Sequence, residues 1–290
     1  MADYVIMTDS CCDLPPALAD ELNLEVLPLN LQMGDTVYQN WLDGRDLDFS
    51  EFYARIRNGE NAVTSAISVG SFEAGMRKIL ETGKDILCIS FSSGLSTTYQ
   101  SAVIAATDLQ AEFPDAHIRV VDSLCASMGQ GLLVTLCARE KAKGRSLDEV
   151  CAFAEETRLH ICHWFTVDDL NHLKRGGRIN AATALFGTML SIKPVMHVDD
   201  EGHLIPISKS RGRRASLLAL VDHMEATALD AAGGTVYISH GDCLEDAQIV
   251  ADEVGRRFGN RDVTISYVGP VIGNHSGPGT LALFFVGSKR

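Results

Sequence analysis

The chain has 290 residues, enough for one or two domains, and its hydrophobic fraction of 46% supports a sizeable buried core. Its formal net charge of −13 argues against nucleic acid as the main partner, because phosphate binding requires a basic face. The opening MADYVIMTDS has no basic region ahead of an apolar core, and no run of about 18 apolar residues occurs. We therefore expect a cytoplasmic protein without a signal peptide or an integral membrane segment.

Strands alternate with helices through the first half of the chain. A strand over residues 4–8, the buried run DILCIS and the strand HIRVVD are each followed by a helical pattern. LPLNLQMGDTVY predicts a hairpin that turns at Gly34 and Asp35. Alternation of this kind predicts a mainly parallel sheet covered by helices.

Several helix starts carry capping signals. The helix in DSCCDLPPALADEL has prolines in its first turn, and we expect Asp13 or a neighbour to cap it. Asp48 with Glu51, and Ser146 with Glu149, have the spacing of a capping box. These signals place two further helices at DFSEFYARI and SLDEVCAFAEETR.

The second half has a different rhythm, which predicts a second α/β domain with a mixed sheet. The strand ICHWFTV is followed by a short helix, LNHLKRGGRI, that ends at paired glycines, and the apolar spacing continues to Met189. IKPVMHV and HLIPIS predict a hairpin around DDEG, and a long helix follows from Arg213. TVYISH, VTISYV and LALFFV complete the strands. We expect an N-terminal domain over residues 1–159 and a C-terminal domain over residues 160–290.

Eight cysteines are scattered along the chain without a C-x-x-C pair, and most lie in apolar runs. This pattern is typical of reduced, buried thiols in a cytosolic protein. The adjacent Cys11 and Cys12 offer two soft ligands, but no histidine or acidic residue follows at a recognised ligand spacing. We predict no metal site.

Three hydroxyl-rich loops lie at predicted strand ends and precede helices: VTSAIS, SFSSGLSTTYQSA and VVDSLCASMGQG. Ligands of open α/β sheets bind beyond the carboxyl ends of the strands, and helix N-termini there favour an anion such as a carboxylate or phosphate. The alternative is that these serines and threonines, with Ser96 at an expected N-cap, only cap helices. The P-loop, the G-x-G-x-x-G fingerprint and the G-x-S-x-G elbow do not occur, so a nucleotide site or a hydrolase is poorly supported.

His275 lies in GPVIGNHSGPGT, which we interpret as a glycine- and proline-rich loop from Gly269 to Gly279. On such a loop a histidine can be a catalytic base, a ligand clamp or a surface residue. A basic cluster is formed by the cations of SKSRGRRAS, which are Lys209, Arg211, Arg213 and Arg214. Cations at a helix start oppose the helix dipole, so the cluster suggests docking of a partner's phosphates or acidic surface. The alternative is a solvated helix start.

Taken together, these motifs resemble the DegV family, the fatty-acid-binding proteins that include the acyl-carrying subunit of bacterial fatty acid kinase. TDSCCDLP, VTSAIS, SSGLSTTYQSA, VVDS, LKRGGRI, KPV with SKSRGR, and NHSGPG follow the order of the family along essentially the whole chain. The resemblance implies two α/β domains with one long-chain fatty acid between them. It places the tail in an apolar tunnel and the carboxylate at the surface end, with no cofactor.

Carried over residue by residue, the carboxylate-binding hydroxyls would be Thr64 and Ser96, and His275 would complete the site from the second domain. Ser93 and Ser65 are close alternatives. The chain departs from the pattern of the family where Ala66 and Ile67 replace Gln and Pro, which bears on chain length, and where Thr97 replaces a Gly after the capping serine.

The resemblance implies a non-catalytic protein that presents its fatty acid to a separate fatty acid kinase. From the basic cluster we predict Arg211 and Arg213 as the residues that dock this kinase. An enzyme of acyl chemistry, a hydrolase or acyltransferase in which His275 is the general base for Ser96, is the alternative. A third possibility is a binding module for a different apolar carboxylate.

Overall fold

The structure is a computed structural model that describes residues 3–179 and 192–290. The strands are β1 (Tyr4–Asp9), β2 (Glu25–Leu27), β3 (Asn30–Met33), β4 (Thr36–Gln39), β5 (Ala62–Ser65), β6 (Asp85–Ser90), β7 (Ile118–Asp122), β8 (Ile161–Thr166), β9 (Ile192–Val198), β10 (Leu204–Arg211), β11 (Val236–His240), β12 (Val263–Tyr267) and β13 (Leu281–Val286). The helices are α1 (Pro16–Glu21), α2 (Phe49–Arg57), α3 (Val69–Leu80), α4 (Thr98–Glu112), α5 (Met128–Ala142), α6 (Leu147–Thr157), α7 (Leu170–Arg175), α8 (Arg213–Thr227), α9 (Leu244–Phe258) and α10 (Pro270–Ser276).

A parallel sheet of four strands, in the order β2-β1-β6-β7, forms from the first half of the chain. Successive side chains along each strand point to opposite faces of this sheet, and helices bury both faces. Ile6 and Leu87 pack toward α5 and α6, whereas Met7 and Cys88 pack toward α3 and α4. The prediction of a parallel sheet covered by helices is confirmed.

A mixed sheet of six strands, in the order β10-β9-β8-β13-β11-β12, forms from the second half. Only β11 and β12 pair in parallel, and the other neighbours are antiparallel. One face packs on α8 and α9 through Trp164 and Leu283. The other face packs on α5 through Phe165 and Phe284, so α5 lies between the two sheets. The prediction of a mixed sheet is confirmed, and the division into residues 1–159 and 160–290 stays a proposal.

A third sheet, β4-β3-β5, is antiparallel. The sequence pattern did not predict that these three strands form a sheet of their own. The hairpin turn at Gly34 and Asp35 is confirmed. The segment VTSAIS therefore does not follow a strand of the parallel sheet, because Thr64 and Ser65 are the last residues of β5. Strands this short carry no pattern that identifies their pairing partner.

The predicted helix caps have mixed outcomes. Ser146 and Glu149 form the reciprocal capping box, and Asp48 accepts hydrogen bonds from the backbone N–H groups of Ser50 and Glu51. The prediction for Asp13 is wrong, because its side chain is buried and bonded to Ser127 while α1 begins at prolines without a side-chain cap. The apolar spacing that continues to Met189 lies outside the described residues.

Buried cysteines are confirmed for most positions, and all eight thiols are free. Within residues 3–179 and 192–290, every helix falls short of the length and apolarity that a membrane crossing needs.

Candidate functional site

A cavity of about 390 Å³ opens between the parallel sheet, the mixed sheet and α10. Most of its wall is apolar, with contributions from Leu29, Phe91, Leu173, Val271 and Phe284. These side chains come from both halves of the chain, so the cavity exists only when the two sheets are assembled. An enclosed apolar wall with a few polar groups is the usual composition of a small-molecule site.

The five predicted carboxylate-binding residues all line this cavity: Thr64, Ser65, Ser93, Ser96 and His275. Thr64 Oγ1 lies 2.7 Å from His275 Nε2, which joins β5 to α10 across 211 positions of sequence. The structure therefore places all five residues in the wall of one mostly apolar cavity and brings Thr64 and His275 into contact.

His275 does not lie on a loop, which corrects the sequence-based interpretation. It is the sixth of the seven residues of α10, a helix that begins with Pro270 and ends where Gly277 adopts a φ of 83°. Proline is preorganised for the first helical position, and glycine accepts the positive φ beyond the last. The glycines and the proline are therefore the start and stop signals of a short helix.

The imidazole of His275 is neutral at neutral pH. Burial, with a smaller contribution from the nearby Arg178 charge, lowers the pKa of His275 from its ordinary 6.5 to about 4. Its Nδ1 is buried and has no hydrogen-bond partner among the residues that the structure describes. A neutral ring with Nε2 directed at a hydroxyl can either donate to an anion or accept from Thr64, depending on its tautomer.

Gly176 explains how closely the imidazole approaches α7. A Cβ at Gly176 would overlap Nδ1 of His275, although the backbone of Gly176 has the φ of −69° that any residue adopts. The helix-ending glycine is instead Gly177, with a φ of 69°. The paired glycines of LKRGGRI thus have separate roles, and the sequence-based interpretation accounted only for Gly177.

Arg178 is a site residue that the sequence analysis did not select. Its half-buried guanidinium lines the cavity and donates to the carbonyl oxygens of Leu95, at 3.3 Å, and Gly176. Within the described part of the chain it has no carboxylate partner, and burial lowers its pKa. A half-buried cation without an anion is a natural counter-ion for a carboxylate. Its signal was present in LKRGGRI but was attributed to a helix end.

The hydroxyl of Ser96 also caps α4. It accepts from the backbone N–H of Thr98 at 3.2 Å and lies 2.9 Å from Thr98 Oγ1, while the N-cap position itself is Thr97, one residue later than predicted. Capping and cavity lining therefore coexist at this residue. Among the departures from the DegV pattern, Ala66 and Thr97 line the cavity, whereas Ile67 is buried in the core against α3 and α4.

A second, polar cleft of about 310 Å³ adjoins the cavity. The two share Thr64, Arg178 and His275 in their walls. Exposed Arg175 and half-buried Asn274 line the cleft but do not line the cavity. Groups held at the shared end are thus reachable from the protein surface.

The basic cluster divides into residues with different surroundings. Arg211 is exposed at the end of β10 and pairs with no acidic residue among those described. Arg213 is partly buried, with Nε 2.9 Å from Asp246 Oδ2 and Nη2 2.7 Å from the carbonyl oxygen of Gly279. Arg213 also lies 3.7 Å from Asp168 Oδ1, so it is engaged within the fold.

The chain is similar to known proteins over its whole length. The family model described as "Uncharacterised protein, DegV family" matches residues 3–288. A DegV domain-containing protein of Clostridium perfringens is 40% identical over 290 residues, which cover 100% of this chain and 99% of that protein.

Two solved structures have the same fold. The fatty-acid-binding DegV family protein from Thermus thermophilus is 29% identical with a TM-score of 0.88, covering 99% of this chain and 100% of that one. A DegV lipid-binding protein from Thermotoga maritima is 27% identical with a TM-score of 0.87, covering 99% of both chains. The chain therefore belongs to the DegV family.

Proposed function

We propose that the protein binds one long-chain fatty acid, with its tail in the apolar cavity and its carboxylate at Thr64, Ser96 and His275. The observation that carries the proposal is the cavity itself, whose wall is mostly apolar and includes the contact between Thr64 and His275. Its volume of about 390 Å³ falls in the range of roughly 300–1,000 Å³ that is usual for ligand sites. The fatty acid binding of the Thermus thermophilus relative supports the same ligand class.

The tail supplies most of the affinity in this proposal. Burial of each CH₂ group contributes about 0.8 kcal/mol, so a long acyl chain gains on the order of 10 kcal/mol before the costs of association. Hydrogen bonds to a charged carboxylate contribute roughly 1.5–3 kcal/mol each. The polar residues therefore determine mainly which end of the ligand faces outward.

The role of the protein is presentation of the carboxylate to a separate fatty acid kinase. The polar cleft supports this proposal, because it shares Thr64, Arg178 and His275 with the cavity and opens at the surface. A carboxylate held there stays accessible to a second reactant while the tail stays buried. Arg211, exposed at the end of β10, is the stronger of the two proposed docking residues, since Arg213 is engaged with Asp246.

Binding is better supported than acyl hydrolysis. The hydroxyl next to His275 belongs to Thr64, whereas Ser96 is bonded to Thr98. A catalytic histidine is normally oriented by a carboxylate or carbonyl at its second nitrogen. Within residues 3–179 and 192–290, Nδ1 of His275 has no such partner.

The test begins with mass spectrometry of small molecules released from the purified protein on denaturation. We expect one long-chain fatty acid per chain, and a nucleotide, sugar phosphate or metal in its place would contradict the proposal. On delipidated protein, His275→Ala should weaken binding of a fatty acid by about 10- to 100-fold, because one charge-assisted hydrogen bond is lost.

The methyl ester of the same acid should be much less sensitive to His275→Ala, because it lacks the charge. His203→Ala removes an exposed histidine of the β9–β10 turn and serves as the matched control. If His275→Ala weakens acid and ester equally, the histidine has only a packing role and the assignment of the carboxylate end is wrong.

A further inference from the structure

The loop between β6 and α4 carries part of the proposed carboxylate site. Ser93 and Ser96 line the cavity from this loop. The carbonyl oxygen of Leu95, in the same loop, accepts a hydrogen bond from Arg178 Nε at 3.3 Å, so the loop also holds the unpaired cation of the site. Whatever fixes this loop therefore sets the positions of a serine hydroxyl and of a guanidinium at the same time.

Ser92 fixes the loop from the inside. It is 0% exposed and is not among the described residues that line the cavity. Its carbonyl oxygen accepts from the backbone N–H groups of Leu95 and Ser96, each at 3.1 Å. Its Oγ accepts from the backbone N–H of Gly94 at 3.2 Å. The turn that carries Ser96 is thus folded around Ser92.

The same serine ties this turn to the second half of the chain. Ser92 Oγ donates to the carbonyl oxygen of Gly202 at 2.9 Å, in the turn between β9 and β10. The backbone N–H of Ser92 donates to the carbonyl oxygen of Cys125 at 3.1 Å, in the loop between β7 and α5. Because the hydroxyl both donates and accepts, it connects a loop of the parallel sheet to a turn of the mixed sheet.

The turn between β9 and β10 is a firm anchor for this contact. Asp199 Oδ1 accepts from the backbone N–H groups of Glu201 and His203, at 3.0 and 2.8 Å, which braces the turn from within. Gly202 has a φ of 79°, and a Cβ at this position would overlap Ser92 Oγ. The turn therefore approaches the serine as closely as a glycine allows.

We propose that Ser92 is a positioning residue for carboxylate recognition, because it clamps the loop between β6 and α4 to the turn between β9 and β10. The inference rests on the proposed function, since the groups that it positions are the hydroxyl of Ser96 and the guanidinium of Arg178. Without the Ser92 hydroxyl, the carbonyl of Gly202 and the N–H of Gly94 lose a buried partner, and the loop relaxes. Most of the apolar wall lies on other elements and keeps its place.

The test measures the affinity of delipidated full-length protein for octadecanoic acid and for its methyl ester, each by displacement of a fluorescent fatty acid. The measured quantity is the ratio of the two dissociation constants, which reports on the carboxylate and not on the tail. We expect Ser92→Ala to lower the preference for the acid by about 10-fold, because hydrogen bonds to a charged group require well-placed partners. General destabilisation would weaken acid and ester alike and would leave the ratio unchanged.

Gly202→Ala reaches the same contact from the other side, because its methyl group overlaps Ser92 Oγ. We expect this variant to lower the ratio as well. The double variant Ser92→Ala, Gly202→Ala should lower the ratio by less than the product of the two single effects, since the overlap disappears with the hydroxyl. Additive effects on the ratio would show that the two residues act separately, which contradicts the clamp.

Ser216→Ala is the matched control, since Ser216 is also 0% exposed and its hydroxyl donates to the carbonyl oxygen of Arg213 at 2.8 Å, within α8. It should keep the wild-type ratio. If Ser92→Ala does not fold, Ser92→Cys keeps the size of the side chain with only a weak hydrogen-bonding group and should lower the ratio in the same direction.

Equal weakening of acid and ester in the Ser92 variants would overturn this inference alone, because Ser92 would then only stabilise the fold. A wild type that binds neither ligand, or that shows no preference for the acid, would overturn the proposed function as well.

Discussion

Two arginines of the same basic cluster, Arg211 and Arg213, lie two positions apart and have different physical roles. Arg211 is exposed at the end of β10, whereas the guanidinium of Arg213 joins Asp246 to the loop carbonyl of Gly279. An exposed charge at the rim of a surface governs encounter with a partner, and a paired, partly buried charge stabilises the fold. Substitutions at the two positions should therefore affect different measurements.

We expect Arg211→Glu to change the free energy of unfolding by less than about 0.5 kcal/mol and to retain fatty acid binding, while it weakens productive contact with a kinase. Arg213→Glu would place a third carboxylate beside Asp246 and Asp168, and should destabilise the fold by about 1–3 kcal/mol. Chemical denaturation, fatty acid titration and acyl phosphate formation with added kinase separate the outcomes. Arg211→Lys keeps the charge and is the control; loss of fatty acid affinity in Arg211→Glu would show that this arginine belongs to the site.

At the scale of single residues, the sequence predicted which residues line the site better than it predicted the contacts they make. Thr64, Ser96 and His275 were selected as a set because hydroxyls and a histidine recur in motifs of the right order, and all line one cavity. Arg178 was missed because its role depends on having no carboxylate partner in the described part of the fold, which is a property of three-dimensional packing. The engagement of Arg213 with Asp246 depends in the same way on a contact between residues 33 positions apart.

At the scale of elements, α10 positions the site, and glycines allow its close packing. A Cβ at Gly273 would overlap the hydroxyl of Tyr53 on α2, and the Tyr53 hydroxyl donates to the carbonyl oxygen of Val268 at 2.7 Å. A seven-residue helix with glycine inside has little intrinsic stability, so tertiary contacts must maintain it. The sequence predicted a loop here because those contacts, which come from α2 and α7, are invisible in a local pattern.

We expect Gly176→Ala to lower affinity for a fatty acid by about 10-fold, because the added methyl group displaces the His275 ring from Thr64. No polar group is added or removed, so the change tests geometry alone. Gly70→Ala is the control: Gly70 lies in α3 with open space around it, and alanine there should be neutral or stabilising by up to about 1 kcal/mol. Fatty acid titration of both variants measures the two affinities. An unchanged affinity in Gly176→Ala would mean that other residues move to relieve the overlap, and that the position of the His275 ring is not critical for binding.

At the scale of the molecule, α5 makes one core out of two sheets. A single hydrophobic cluster contains Ile6 and Leu87 of the parallel sheet, Leu132 of α5, and Phe165 and Phe284 of the mixed sheet. The hydroxyl of Tyr237 on β11 also lies 3.1 Å from Thr135 Oγ1 on α5. The rhythm of strands and helices predicted two α/β layers correctly, but it did not show that a helix of the first half covers the sheet of the second, since that is a long-range contact.

The shared core leads to a prediction about unfolding. The chain has two tryptophans, Trp41 in the first half and Trp164 in the mixed sheet. Trp164→Phe leaves Trp41 to report on the first half, and Trp41→Phe leaves Trp164 to report on the mixed sheet. Circular dichroism measures how much each substitution changes the stability of the whole fold. After correction for that change, we expect the two fluorescence transitions to have the same denaturant midpoint. Separate layers without a common core would unfold independently.

Leu132→Ala, made in each single-tryptophan background, is the decisive change. Leu132 is fully buried in α5, and its truncation should cost about 2–5 kcal/mol. If the halves unfold as one unit, both fluorescence transitions shift together by that amount, and a saturating fatty acid restores both together because the ligand binds only the assembled cavity. A shift confined to one tryptophan would show that the two halves are independent folding units, and the cavity between them would then be a mobile interface instead of a preformed site.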